Sequence, residues 1–240
     1  EDTIHLGAMA LAFVQGAQKH VVANAKHFAV NNIEDTRMTV NAIVDERTLR
    51  EVYLPHFKVV VQKGKVGSLM SAYNRVNGDY CSENAHLLND ILKKEWGFDG
   101  FVTSDWITGT RSTVKAIQSG LDIEMPRPEF FGANLIDAVN AGELTEQVID
   151  NSVRRLLRIQ ERFKISGTPN LDLSLVGCDA HSALALESAR KSMVLLKNRS
   201  SILPLNRNNL SSLVVIGSLA DVGRTGDNGS SSVESKHVIT

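Results

Sequence analysis

Asp105 stands after the apolar run Phe101-Val102-Thr103 and Ser104, and directly before Trp106. A carboxylate in that setting has two readings. It caps a helix start, as Ser and Asp commonly do, or it acts as a nucleophile held ionised by nearby cations. Lys26 and His27 sit side by side at the end of another apolar run, with Asn31, Asn32 and Arg37 close behind. Neighbours on a regular strand face opposite ways, so both enter one pocket only where the strand has ended, bulged or flipped a peptide. The plain reading sends Lys26 to solvent and leaves His27 as a hydrogen-bonded core residue; a Schiff-base nucleophile is a further reading for a desolvated Lys26. Met70 and Tyr73 end a third run, and Asp122, Glu124 and Met125 a fourth. Arg37 alone reads as surface charge and Tyr73 alone as packing, so their interest comes from their company. The set suits a polyhydroxylated ligand, in which charged groups fork onto hydroxyl pairs and flat faces cover C–H surfaces. For such a ligand, Asp105 is placed to attack a sugar's anomeric carbon.

These residues need a scaffold that gathers them. Periodicity predicts a helix over residues 3–18, with Leu6, Met9, Ala10, Phe13 and Val14 on its buried face. A strand over 21–30, a polar loop over 31–37, a helix over 46–63 and a strand over 66–73 follow. Further along come a helix over 84–96, a strand over 101–103, a helix over 109–119 and a strand over 121–125. Helices over 130–141 and 146–163 complete the series, the second with Val148, Ile149, Val153, Leu156, Leu157 and Ile159 inward. Four strand-then-helix units imply a parallel sheet, because parallel strands need crossovers. In such α/β folds ligands meet the carboxyl ends of strands, where the candidates lie. A complete (β/α)₈ barrel takes ~250 residues, so about 165 residues with four strands make a smaller open sheet or part of a TIM-type barrel. Residues 1–163 are read as one domain and 164–180 as a linker. Residues 181–240 are read as the beginning of an α/β sandwich domain, with a helix over 182–196 and a strand over 213–217.

Composition excludes several classes. Lys+Arg (26) and Asp+Glu (27) nearly cancel, leaving no basic stripe for a nucleic acid and no cationic helix for a membrane. Cys81 and Cys178 match neither a zinc spacing nor a disulfide framework, and His5, His20, His56, His86, His181 and His237 are scattered, so no metal is expected. Residues 217–221 do not spell a dinucleotide fingerprint, and residues 225–230 lack the Gly-Lys-Ser/Thr of a phosphate loop. No cofactor is expected. The apolar window over residues 7–14 is far shorter than the ~20 residues that span a bilayer. The first residue is Glu, so processing or truncation is expected upstream, and secreted, periplasmic and cytoplasmic locations all stay open. The oligomeric state is equally open.

The ordered motifs resemble glycoside hydrolase family 3, in its β-glucosidase-like branch. They are Lys26 to Asn32 with Glu34 and Arg37, then Gly97 to Trp106, then Gly120 to Pro126, with Val194-Leu195-Leu196-Lys197-Asn198 and Leu203-Pro204-Leu205 beyond. The resemblance implies a retaining hydrolase of terminal β-D-glucosyl residues, with Asp105 as nucleophile. It implies Lys26, His27, Arg37 and Tyr73 as hydroxyl- and nucleophile-contacting groups, with Met70 and Trp106 lining the glucosyl subsite. Ala29-Val30-Asn31-Asn32 replaces the Pro-Gly-His-Gly of the N-acetylglucosamine-removing relatives, which disfavours that activity. The family's earlier strands supply an Asp and an Arg to the sugar, and its acid/base comes from the second domain. Neither is matched here, so no acid/base is nominated in this chain, and a non-catalytic sugar-binding remnant or a β-xylosidase-like specificity stands as the alternative. The loop over residues 226–232 is expected to reach the barrel mouth.

Overall fold

The computed structural model describes residues 2–165, 167, 172–223, 225, 226, 229, 232 and 238. The chain divides into two compact units, Glu1–Gly167 and Thr168–Thr240.

In the first unit the elements run α1 (Thr3–Ala17), β1 (Asn24–Phe28), β2 (Asn41–Ala42), α2 (Glu46–Thr48) with a π-helical stretch Leu49–Tyr53, and α3 (Pro55–Gln62). Then follow β3 (Ser68–Ser71), β4 (Arg75–Val76), β5 (Asp79–Tyr80), a 3₁₀ turn Cys81–Glu83, a π-helix His86–Glu95 and β6 (Phe101–Thr103). Helices α4 (Val114–Ser119), α5 (Ala133–Asn140) and α6 (Glu146–Arg162) close the unit. The main sheet is parallel in the order β1-β3-β6, and Ile123 bridges Thr103 in parallel beyond β6. Successive parallel strands separated by helices make the partial-barrel α/β fold that the sequence implies.

Local chemistry explains the element ends. Asp2 caps α1, its carboxylate accepting the Ile4 and His5 N–H groups at 2.8 Å each. The single helix anticipated over 46–63 is broken at Leu54, because Pro55 has no N–H to continue the ladder and instead starts α3. The strand anticipated over 121–125 is reduced to one bridge, yet its backbone is paired: Ser104 N donates to the Ile123 carbonyl at 2.9 Å and Ile123 N to Val102 at 3.0 Å. The core is centred on Phe28, fully buried, whose ring meets Phe57 edge-on at 5.1 Å and Trp96 at 6.0 Å.

Two amphipathic expectations are corrected. Of the five apolar residues assigned to the buried face of α1, Val14 is buried and Ala10 half-buried, whereas Leu6, Met9 and Phe13 are exposed. The helix packs on α3 at Gly7, where an added Cβ would stand 3.5 Å from the His56 Cα, in ordinary contact. The Leu6 and Phe13 side instead borders a groove of about 530 Å³ shared with Tyr53, His56 and Lys26. On α6, Ile159 and Ser152 are buried while Val153 and Leu157, four apart, lie exposed on the outer face.

In the second unit α7 runs Asp179–Ser192, a few residues earlier than anticipated at both ends. No strand forms over 213–217 among the described residues: Leu213, Val214, Val215 and Ile216 are exposed and no ladder partner pairs with them. Part of the anticipated linker (residues 166 and 168–171) and most of the anticipated loop over 226–232 lie outside the described residues. Among the described residues no helix is long and apolar enough to cross a membrane.

Candidate active site

Three parallel strands deliver the candidates to one edge. Residues Ala25 and Phe28 of β1 pair with Leu69 and Ser71 of β3, so three steps along one strand match two along its neighbour. This bulge breaks the strict alternation of side chains. Lys26 and His27 accordingly both border the groove beside α1. On β3, Met70 pairs with Thr103 of β6 and is buried, and Tyr73 lies three residues further on. Asp105 emerges two residues after β6.

Asp105 is 7% exposed. One carboxylate oxygen, Oδ1, accepts the Trp106 N–H at 2.7 Å. The other, Oδ2, is buried without a hydrogen-bond donor and lies 3.4 Å from His27 Nε2. The loop that follows is held tight: a Cβ on Gly109 would come within 2.3 Å of the Asp105 carbonyl oxygen. Asp105 caps no helix, since α4 begins nine positions later with Thr113 at its N-cap.

The neighbours are arranged around that carboxylate. The Tyr73 hydroxyl donates to the Trp106 carbonyl at 2.7 Å. Burial, reinforced by the negative charge of Asp105, pushes its pKa up to about 12, so it remains a neutral donor. Arg37 stacks its guanidinium 5.2 Å from the Tyr73 ring centroid and pairs with Glu34. Burial lowers the pKa of His27; Lys26 and Arg37 push the same way, while Asp105 and Glu34 oppose them. A neutral imidazole beside Asp105 leaves the carboxylate's charge unquenched.

The structure thus brings together Asp105, His27, Tyr73, Arg37 and the backbone of Trp106, a residue that is 44% exposed. Met70 joins by its place on β3. Lys26 stands apart: exposed, with no hydrogen bond or ion pair among the described residues, it lacks the desolvation that a Schiff-base lysine needs. His27 is half-buried, with one ring nitrogen facing a carboxylate, unlike the core histidine of the plain reading.

The acids of the fourth strand end do other work. Asp122 accepts from Lys93 Nζ at 2.9 Å, from the Val102 N–H at 2.8 Å and from Ser152 at 3.0 Å. Glu124 accepts the Phe130 and Phe131 N–H groups at 2.9 and 2.7 Å. Both carboxylates are saturated by the scaffold. Sequence reasoning missed Arg75, Tyr80 and Arg111, which cluster beside the turn carrying Arg37. The available signal was Asn77-Gly78, a strong hairpin marker, which here joins β4 to β5 with both residues at positive φ. Among the described residues no three His, Cys, Asp or Glu side chains cluster as metal ligands.

Comparison with known proteins identifies the scaffold. The Glycosyl hydrolase family 3 N terminal domain matches residues 1–159. Thermostable beta-glucosidase B of Acetivibrio thermocellus is 40% identical over 235 residues, covering 97% of this chain and 30% of that protein. A beta-glucosidase of Rhizobium radiobacter is 39% identical over 243 residues, covering 100% of this chain and 30% of its own. Among solved structures, beta-glucosidase 3B from Thermotoga neapolitana in complex with glycerol superposes with a TM-score of 0.75 at 40% identity, covering 87% of this chain and 30% of that one. Beta-glucosidase from Kluyveromyces marxianus in complex with glucose gives a TM-score of 0.78 at 38% identity, covering 85% of this chain and 26% of that one. The chain therefore spans about 30% of the length of the curated relatives it matches. With a matching domain over most of its first unit and relatives near 40% identity along its whole length, this chain belongs to glycoside hydrolase family 3.

Proposed function

We propose that this chain carries the nucleophile side of a retaining β-glucosidase site, acting on terminal β-D-glucosyl residues. The observation that carries the reading is the Asp105 carboxylate. One oxygen is fixed by the Trp106 N–H, and the other is buried, unbonded and 3.4 Å from a histidine whose pKa burial holds low. A preorganised anion with one unengaged oxygen is what attack on an oxocarbenium-like centre requires. In the proposed step that oxygen bonds to the anomeric carbon as the bond to the leaving oxygen breaks, and the electron pair departs with the aglycone. Water then cleaves the glycosyl–Asp105 ester. Arg37 and His27 take sugar hydroxyls, Tyr73 fixes the loop beside the nucleophile, and Trp106 and Met70 flank the ring. No residue of this chain is assigned the acid/base role.

That last point shapes the experiment. Incubation with 2,4-dinitrophenyl 2-deoxy-2-fluoro-β-D-glucoside needs no acid catalyst, because dinitrophenolate leaves unaided. Peptide mass spectrometry is expected to find the fluoroglucosyl label on Asp105. A label elsewhere overturns the assignment, and absence of label favours the sugar-binding remnant. Faster labelling by the corresponding xyloside would favour the β-xylosidase-like specificity.

A further inference from the structure

The turn that bears Arg37 has little to hold it in place. Residues 32–36 are exposed, and its own hydrogen bonds are local, from Arg37 N to Glu34 at 3.3 Å and from Thr39 N to Thr36 at 2.9 Å. Two other arginines grip the next two carbonyls. Arg111 Nη2 donates to the Met38 carbonyl at 3.3 Å and Arg75 Nη2 to the Thr39 carbonyl at 2.9 Å. Their guanidiniums lie 4.5 and 5.4 Å from the centroid of one ring, that of Tyr80. The Thr108 hydroxyl adds a contact to the Met38 sulfur at 3.4 Å.

Two like charges at one ring repel, and the Nε of each arginine is buried without a partner. A hairpin needing only stability is served more cheaply by one cation and one carboxylate. What the doubled arrangement does achieve is a link. Arg111 lies in the loop descending from Asp105; the same loop's Ser112 donates to Glu83 of the 3₁₀ turn after β5, and Lys115 in the first turn of α4 pairs with Asp79 of β5, each at 2.6 Å. Arg75 lies on β4, which pairs with β2 just past the turn, in register Asn41 to Arg75. The nucleophile loop, the hairpin and the Arg37 turn therefore meet at Tyr80.

We propose that Arg75, Tyr80 and Arg111 form a positioning clamp that fixes Met38 and Thr39, and through them seats the Arg37 guanidinium over Tyr73 beside Asp105. These are positioning residues, not catalytic ones; only their consequence for sugar binding rests on the β-glucosidase reading.

The test uses His27 as a built-in reporter in the ¹³C-histidine-labelled 240-residue chain. His27 is faced by Asp105, Lys26, Glu34 and Arg37, and the Arg37 charge disfavours its protonation. Arg37→Gln is expected to raise the His27 titration midpoint by a few tenths of a pH unit. Arg111→Gln is expected to raise it in the same sense by releasing Arg37, and to add nothing in the Arg37→Gln background. No shift in Arg111→Gln, or an equal shift that persists in the double variant, overturns the clamp. If Arg111→Gln does not fold by circular dichroism, Tyr80→Leu is read through the same cycle. The fluoroglucoside label is independent: a coupled cycle with unlabelled Asp105 keeps the clamp and removes the glycosidase reading, and a labelled Asp105 with an uncoupled cycle does the reverse.

Discussion

At the scale of single residues, Asp105 sets the charge that its neighbours respond to. It favours protonated His27, because an anion stabilises imidazolium, and it disfavours ionised Tyr73, because an anion opposes phenolate. Asp105→Asn keeps the shape and removes the charge. Both midpoints are therefore expected to fall, that of Tyr73 from about 12 toward the ordinary tyrosine value, as followed by ultraviolet titration of the phenolate and by histidine NMR. The same variant is expected to lose fluoroglucoside labelling by at least ~10³-fold, since an amide at position 105 cannot form the glycosyl ester. A midpoint that does not fall would mean that the Asp105 charge does not act on that group.

At the scale of elements, the scaffold acids explain how the sheet holds its edge. Asp122 ties the start of β6, the π-helix His86–Glu95 and α6 together through Val102, Lys93 and Ser152. The Lys93 and Asp122 side chains are 9% and 2% exposed. Removing one partner strands the other charge in the interior, so Asp122→Asn and Lys93→Met are each expected to cost ~3–5 kcal/mol. Urea denaturation measures that loss, and the double variant is expected to be less destabilised than the sum. The Gly109 turn supplies a second check. Its Cβ position falls on the Asp105 backbone, so Gly109→Ala is expected to displace the nucleophile and cut labelling while the core, centred on Phe28, stays folded. The sequence had placed Asp122 and Glu124 among the candidates because they end a strand-like run. Position along a strand does not reveal which carboxylates the backbone itself saturates, and only the structure separates them from Asp105.

At the scale of the whole molecule, the parallel order and the strand ends were legible because apolar runs alternating with helical periods admit few topologies. The β1 bulge was legible as a requirement: Lys26 and His27 are adjacent, and sharing one groove demanded broken alternation. The exposed flank of α1 and the missing strand over 213–217 were not, because periodicity shows which face is apolar but not whether anything packs on it. The clamp was hidden because its arginines come from distant loops, although Asn77-Gly78 announced its hairpin. Burial of histidines gives the last expectation. His27 and His56 both have pKa values lowered from 6.5 by desolvation. The unfolded chain therefore binds protons that the folded chain refuses, and stability, steady above about pH 7.5, declines as pH falls through 6.5 toward the folded midpoints. Each group contributes a slope of at most about 1.4 kcal/mol per pH unit. Urea midpoints between pH 8 and 5.5, above the carboxylate range, are expected to show this decline and to show less of it in His56→Gln. A curve that is flat there, or that rises on acidification, would mean that neither imidazole is held neutral by the fold.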